Sequence, residues 1–308
     1  MLLDHSASGV FTIAATPFLP DGALDTASID SLTDFYLGCG VTGLTILGIM
    51  GEAQKLEPEE ALSVSRQIIK RAHVPVIVGV SASGFTAMRS LAHGVMEMGA
   101  AGVMIAPPPH LRTDEQILTY YAQAVEAIGE EIPFVIQDYP LTLSVQMTPE
   151  VLRRIVMAHS SCVMLKHEDW PGLEKISALR AFQKAGTLRP LSILTGNGGL
   201  FLDFEMERGA DGAMTGYAFP DMLVDVVTLM KSGARDQAHD LFDAHLPLIR
   251  YEQQQGIGLA ARKYVLQKRG AIAHDAQRKP GAKLSNAARA EIDYLLIRVA
   301  RQDPRASL

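Results

Sequence analysis

The chain has 308 residues, 48% hydrophobic and 20% charged, with a formal net charge of −6. That length buries a large core without disulfides or a structural metal, and the two cysteines, Cys39 and Cys162, are expected to be buried thiols in a reducing compartment. The acidic balance offers no basic face for nucleic acid, no apolar run approaches the roughly 18 residues of a membrane span, and Met1–Ser8 lacks a signal-peptide pattern, so the expected location is cytoplasmic.

Short apolar runs alternate with longer segments of helical period. Val10–Ala15 reads as a strand, followed by a helix over Thr26–Gly38 with Ile29, Leu32, Phe35 and Tyr36 as its apolar positions. Gly43–Leu47 precedes a helix over Pro58–Ala72, and Val76–Val80 precedes one over Thr86–Met98. Gly102–Ala106 leads to a helix that opens at Thr113-Asp114-Glu115 and runs to Ile128. Phe134–Ile136 is followed by Thr148–Ala158, where Pro149 sits in the first turn. Val163–Leu165, Ser192–Leu194 and Gly212–Met214 complete the set of strands. Each run is short and mainly apolar, the pattern of a parallel strand covered on both faces.

Successive βα units without a break in composition predict a closed (β/α)8 TIM barrel over residues 1–221. A doubly wound open sheet is the competing arrangement. From Met222 onward the pattern is helical only, over Met222–Lys231, Arg235–Arg250, Leu259–Arg269 and Asn286–Ala300, with a polar loop at Ala273–Lys283. Residues 222–308 are therefore expected to form an all-helical extension, packed on the barrel or on a neighbouring subunit.

Barrel enzymes carry their chemistry at the C-terminal ends of strands. Lys166 follows Cys162–Leu165 directly, so its stem starts in an apolar mouth that disfavours an ammonium ion. The neutral amine adds to ketones to form imines. The alternative is a lysine that reaches the rim or pairs with Glu168. Gly48–Glu52, containing Ile49 and Met50, offers free backbone N–H groups for a carboxylate or phosphate. Gly196-Asn197-Gly198-Gly199 and Thr215-Gly216 would suit a phosphate; the alternative is glycines that only permit tight turns. His167 and Glu168 point to opposite faces of a strand and no second histidine lies at ligand spacing, so no metal is expected.

These motifs together resemble the dihydrodipicolinate synthase/N-acetylneuraminate lyase family, class I lyases acting on pyruvate or 2-keto acids. The likeness runs through Gly9–Pro17, the Gly43–Glu52 loop, Pro75–Val80, Gly99–Pro109, Lys166 and Gly209–Gly216, and the helical tail matches as well. It implies Lys166 as the Schiff-base residue, no cofactor, a small-molecule 2-keto acid substrate and a homotetramer built as a dimer of dimers. The departures are informative. Gln137 stands where the family usually has tyrosine, with Tyr139 two residues on. Ile49 and Met50 replace its paired hydroxyl residues, and Leu141-Thr142 follow Pro140 where dihydrodipicolinate synthases carry an arginine. A closer similarity is to the L-2-keto-3-deoxyarabonate dehydratases, at Val135–Asp138, Gly209–Pro220 and Leu246–Gly256, with divergence at Gly48–Glu52.

The resemblance thus implies Lys166 and Gln137 as the catalytic positions. Gly48, Ile49, Met50 and Tyr139 are expected to bind substrate, with Glu168, Gly196, Asn197 and Met214. The amides of Ile49 and Met50 would hold the substrate carboxylate. The absence of an ionisable group at Gln137, Ile49 and Met50 tilts the expected reaction from aldol cleavage towards dehydration of a 2-keto-3-deoxy sugar acid. Glu168, Asp138 and Tyr139 are the candidates for proton transfer. An aldolase or a dihydrodipicolinate synthase-like condensation is the alternative, and a non-catalytic ligand-binding barrel or a phosphate-binding barrel enzyme would be a different class altogether.

Overall fold

A computed structural model describes residues 2–170 and 172–308. Eight parallel strands close into a barrel in sequence order: β1 (Gly9–Ile13), β2 (Gly43–Ile46), β3 (Val76–Gly79), β4 (Gly102–Ile105), β5 (Phe134–Asp138), β6 (Cys162–His167), β7 (Ser192–Thr195) and β8 (Gly212–Ala213). The seam is made by Gly9 opposite Gly212 and Val10 opposite Ala213. The helices between strands are α1 (Thr26–Gly38), α2 (Pro58–Arg71), α3 (Phe85–Glu97), α4 (Asp114–Ile128), α5 (Pro140–Leu143), α6 (Pro149–Ala158), α7 (Leu173–Lys184) and α8 (Leu202–Glu207). After β8 come α9 (Pro220–Lys231), α10 (Arg235–Glu252), α11 (Gly258–Lys268) and α12 (Asn286–Ala300).

Local chemistry sets the helix starts. The Asp25 carboxylate accepts from Ser28 N at 3.0 Å to cap α1, Thr113 and Gln116 form a capping box at α4, and Ser285 accepts from Ala288 N at 3.1 Å at α12. α7, α8 and the single turn α5 were not expected from sequence. α5 and α8, of four and six residues, are too short to show a helical period; α7 does show one, at Leu173, Ile176, Leu179 and Phe182, which sequence reasoning passed over.

Side-chain alternation along the strands builds two cores. Phe11, Ile13, Ile77, Met104, Val135, Met164, Leu194 and Met214 fill the barrel lumen. Their neighbours Val10, Val103, Ile136 and Leu165 face outward against the helices. Both faces are dry, which is why the strands read as mainly apolar runs. Each fully buried Leu- or Phe-sized side chain contributes about 1.5–3 kcal/mol. Cys162 is buried and Cys39 only partly so, which corrects the expectation for Cys39; neither forms a disulfide.

β5 and β6 run farther than their apolar residues. Pairing continues through Gln137 opposite Lys166 and Asp138 opposite His167, so Lys166 and Gln137 lie on the strands and not in the loops after them. Parallel ladder bonds are made by the backbone and do not depend on side-chain polarity. α9 packs on β1 and β8 and closes the ring of helices, while α10 stacks on α9, α11 and α12. Arg269 fastens α11 to the barrel: its guanidinium bonds Ala218 O at 2.7 Å and Asp221 Oδ2 at 2.8 Å. It also lies over the rings of Phe35 and Phe219, 4.7 and 4.3 Å from their centroids. Among the described residues no helix is long and apolar enough to cross a membrane.

A methyl group on Gly212 would run into the carbonyl of Gly9 across the seam. Gly212→Ala is therefore expected to cost about 3 kcal/mol or more, read as a Tm several degrees below that of the parent in a thermal melt.

Candidate active site

A cavity of about 480 Å³ opens at the C-terminal ends of the strands. Lys166 and Glu168 enter it from the end of β6 and Gln137 from β5, all three buried. Glu168 is their common partner. Its Oε1 lies 2.8 Å from Lys166 Nζ and accepts from Gln137 Nε2 at 2.8 Å. Its Oε2 accepts from Asn197 N at 3.3 Å, and Asn197 Nδ2 donates to the Glu168 carbonyl at 2.8 Å. Asn197 adopts a left-handed conformation to reach both. Gly196 lies so close to the Glu168 side chain that a Cβ there would collide with it. Its role is to give way to Glu168, and it does not line the cavity.

Strand alternation turns His167 and Asp138 to the far side. Asp138 Oδ2 bonds Lys175 Nζ at 2.8 Å, and Lys175 also reaches Asp169 at 2.5 Å. Burial pushes the Asp138 carboxyl up to about 6, with Lys175 opposing, and burial with the Lys175 charge pushes His167 down to about 4. Asp138 does not line the cavity, so it drops out as a proton-transfer group. The side chain beyond it returns to the cavity: Tyr139 lines the wall, two residues on from Gln137.

Opposite Lys166, the loop after β2 carries Ile49 and Met50 into the cavity wall. Leu47 and Glu52 both have positive φ, 53° and 54°, and the absence of a side chain at Gly79 leaves room for the Leu47 carbonyl. Glu52 secures the loop through Lys55 at 2.7 Å and the buried Lys263 at 2.6 Å. Thr16 Oγ1 adds a bond to Gly51 O at 2.6 Å. Among the described residues, the amides of Ile49 and Met50 donate to no group of the chain. Gly48 is buried beneath the loop, where an added Cβ would come into ordinary contact with Ile13 and Met104. Met214, expected to contact substrate, belongs to the plug in the lumen. Of the residues singled out in the sequence, the cavity thus gathers Lys166, Gln137, Glu168, Ile49, Met50, Tyr139 and Asn197, and leaves out Gly48, Gly196 and Met214.

Sequence reasoning missed one whole wall. The connection between α10 and α11, Gln253–Gly256, lies over the mouth, with Glu252 and Arg262 behind it. Arg262 Nε bonds Glu252 Oε2 at 2.7 Å, and the Arg262 Nη1 is in contact with Met50 Sδ. Gly198 accommodates the Gln253 amide where any side chain would clash. Trp170 and Phe201, with ring centroids 5.6 Å apart, complete the rim. The polar run Gln253-Gln254-Gln255-Gly256 between two helices was the one available signal.

Under the site, Glu205 is buried and its Oε2 has no partner among the described residues. Burial pushes its carboxyl up to about 8, partly offset by the Thr195 hydroxyl, so it is neutral at pH 7.

Fold and site together define a Schiff-base-forming lyase on a (β/α)8 barrel. The chain belongs to the dihydrodipicolinate synthetase family, which it matches over residues 6–298. It is 32% identical over 304 residues to an L-2-keto-3-deoxyarabonate dehydratase from Azospirillum brasilense, covering 96% of this chain and 94% of that protein. The crystal structure of a dihydrodipicolinate synthase from Rhodopseudomonas palustris is 69% identical, with a TM-score of 0.96 over 97% of this chain and 99% of that one. A prophage protein of the family from E. coli K12, solved in complex with pyruvate, shares the fold at 21% identity and a TM-score of 0.85, over 95% and 98% of the two chains.

Glu205 binds its proton more tightly folded than unfolded, so its contribution to stability is complete below about pH 4.5 and is lost as pH rises through about 8. Glu205→Gln removes this loss. The variant's Tm relative to the parent should rise between pH 5 and pH 9; parallel Tm profiles would show that the carboxyl ionises normally.

Proposed function

We propose that the protein dehydrates a 2-keto-3-deoxy sugar acid through an imine on Lys166. The observation that carries this reading is the composition of the inner cavity. Glu168 Oε1 sits 2.8 Å from Lys166 Nζ and 2.8 Å from Gln137 Nε2, while Gln137, Ile49 and Met50 have no ionisable side chain.

Lys166 passes a proton to Glu168, and the free amine adds to C2 of the keto acid. The carbinolamine hydroxyl leaves as water on the proton that Glu168 took, which restores the Glu168 carboxylate and leaves an iminium that acidifies the C3 protons. Removal of one gives an enamine. Its electron pair then forms the C3–C4 double bond and expels the C4 hydroxyl, which takes a proton and departs as water. Hydrolysis of the conjugated iminium frees Lys166 and a keto acid one water lighter than the substrate. The Glu168 carboxyl is 2.8 Å from the Lys166 amine that would carry C2, which supports Glu168 as the group that takes the C3 proton. Aldol cleavage would instead need a base on the C4 hydroxyl, at the place occupied by Gln137 and the apolar Ile49 and Met50. Similarity to the Azospirillum dehydratase over nearly the whole chain supports the same reading.

A second reading has its own support. The Rhodopseudomonas palustris chain, 69% identical, is described as a dihydrodipicolinate synthase, which favours a condensation of pyruvate with an aldehyde on the same lysine.

Borohydride reduction in the presence of pyruvate or of 2-keto-3-deoxy sugar acids, followed by peptide mass spectrometry, tests both. The expected result is a reduced adduct on the Lys166 peptide, absent from Lys166→Ala, whose mass with the sugar acid matches the full carbon chain less one water. A pyruvate adduct formed from the sugar acid would indicate C3–C4 cleavage and support aldol chemistry. No adduct with any keto acid would overturn imine formation. Glu168→Gln is expected to lower kcat by about 10²–10⁴-fold, the usual worth of a general acid–base group, in a steady-state assay with the sugar acid.

A further inference from the structure

We infer that Arg262, from the helical tail, is the cationic anchor for the C1 carboxylate of the substrate, completing a cradle whose other donors are the amides of Ile49 and Met50. This rests on the keto-acid reading above and extends it to a residue outside the barrel.

Arg262 is 5% exposed, yet it lines the cavity. A guanidinium taken out of water is costly unless its donors are used. The chain uses them incompletely. Nε goes to Glu252 at 2.7 Å. Nη1 meets only the thioether of Met50, a weak acceptor, and among the described residues Nη2 has no acceptor. A planar donor fork therefore remains with capacity for a carboxylate, the group it matches in geometry and charge.

The place of this fork is set by Met50. The Met50 side chain touches Arg262 at one end and packs against Gly216, where a Cβ would collide with it. Its own amide and that of Ile49 have no acceptor within the chain. Free backbone donors and a free guanidinium edge thus converge on one residue, on the wall across the cavity from Lys166.

Charge balance points the same way. Lys166, the other cation of the cavity, is matched by Glu168 at 2.8 Å. Arg262 is matched by Glu252, but that carboxyl is fully buried, one of its oxygens has no partner, and burial pushes it up to about 7. Its bond is to Nε alone, which leaves the Nη edge of Arg262 for a second anion.

The test compares a charged and a neutral ketone of the same size. Borohydride trapping on Lys166 is titrated with pyruvate and with acetone for the parent, Arg262→Gln and Arg262→Lys. Loss of one to two charge-assisted hydrogen bonds is expected to raise the half-saturating pyruvate concentration by about 10–100-fold in Arg262→Gln. The preference for pyruvate over acetone should collapse, with partial recovery in Arg262→Lys. The double variant Arg262→Gln/Glu252→Gln, which leaves no unpaired buried charge, should behave as Arg262→Gln does and guards against a folding defect. An unchanged preference overturns the inference. So does equal weakening towards both ketones, which would mean a structural role only. Weakening confined to full-length sugar acids, with pyruvate unaffected, also overturns it, because the contact would then be at the far end of the substrate. If the parent traps neither ketone, imine formation fails, and calorimetric titration of pyruvate still decides for Arg262: a Kd that is unchanged in Arg262→Gln overturns the anchor, and one weakened about tenfold or more supports it.

Discussion

The carboxylate of Glu168 is the contact on which the site depends. It draws in a cation from its own strand, an amide from the neighbouring strand and the turn after β7, through Lys166, Gln137 and Asn197. That arrangement exists because β5 and β6 stay paired two residues past their apolar runs. The register puts Gln137 beside Lys166, and the same alternation that sends them inward sends Asp138 and His167 to the outer side, where Asp138 meets Lys175. A slip of one residue would exchange the two sets. Polar chemistry at the mouth is thus an outcome of backbone pairing, supported by the apolar plug below it.

Buried and half-buried cations of the tail tie its segments to the barrel and to one another. Lys263 reaches Glu52, Thr16 O and Ala276 O. Arg262 holds Glu252, Arg278 bridges Glu60, Gly22 O and Lys55 O, and Arg269 is stacked between two aromatic rings. Breaking such a pair by removing one partner costs far more than the pair itself contributes, since a lone buried charge remains. The consequence is geometric: the loop after β2 is held from above by α11 and the segment that follows it, so the barrel wall and the helical tail form one side of the cavity together.

Several acids lie in this dry surround with their protons held tightly, among them Asp138, Glu205 and Glu252, each raised by burial. Of the three, Glu205, pushed up to about 8, stays uncharged around neutral pH. The cavity wall itself presents the Lys166–Glu168 pair and Arg262, whose partner Glu252 is held towards its neutral form by burial.

What the sequence by itself determined is the barrel and its lysine. Strands covered on both faces have to be mainly apolar, so the eight runs were legible, and Lys166 stood out as a cation directly after such a run. Ile49, Met50, Gln137 and Tyr139 were legible for the same reason, being the residues next to strand ends. Met214 sits at a strand end too, but β8 stops at Ala213 and its side chain turns into the lumen, a choice that depends on which face the neighbouring strands leave open. Only the tertiary structure decided that Glu168 would be the shared partner, that Asp138 would face away, and that Arg262 would meet Met50 across 212 residues of sequence. Periodicity reports which residues must leave water. It carries no information about which polar groups, far apart in the chain, will share the space that is left.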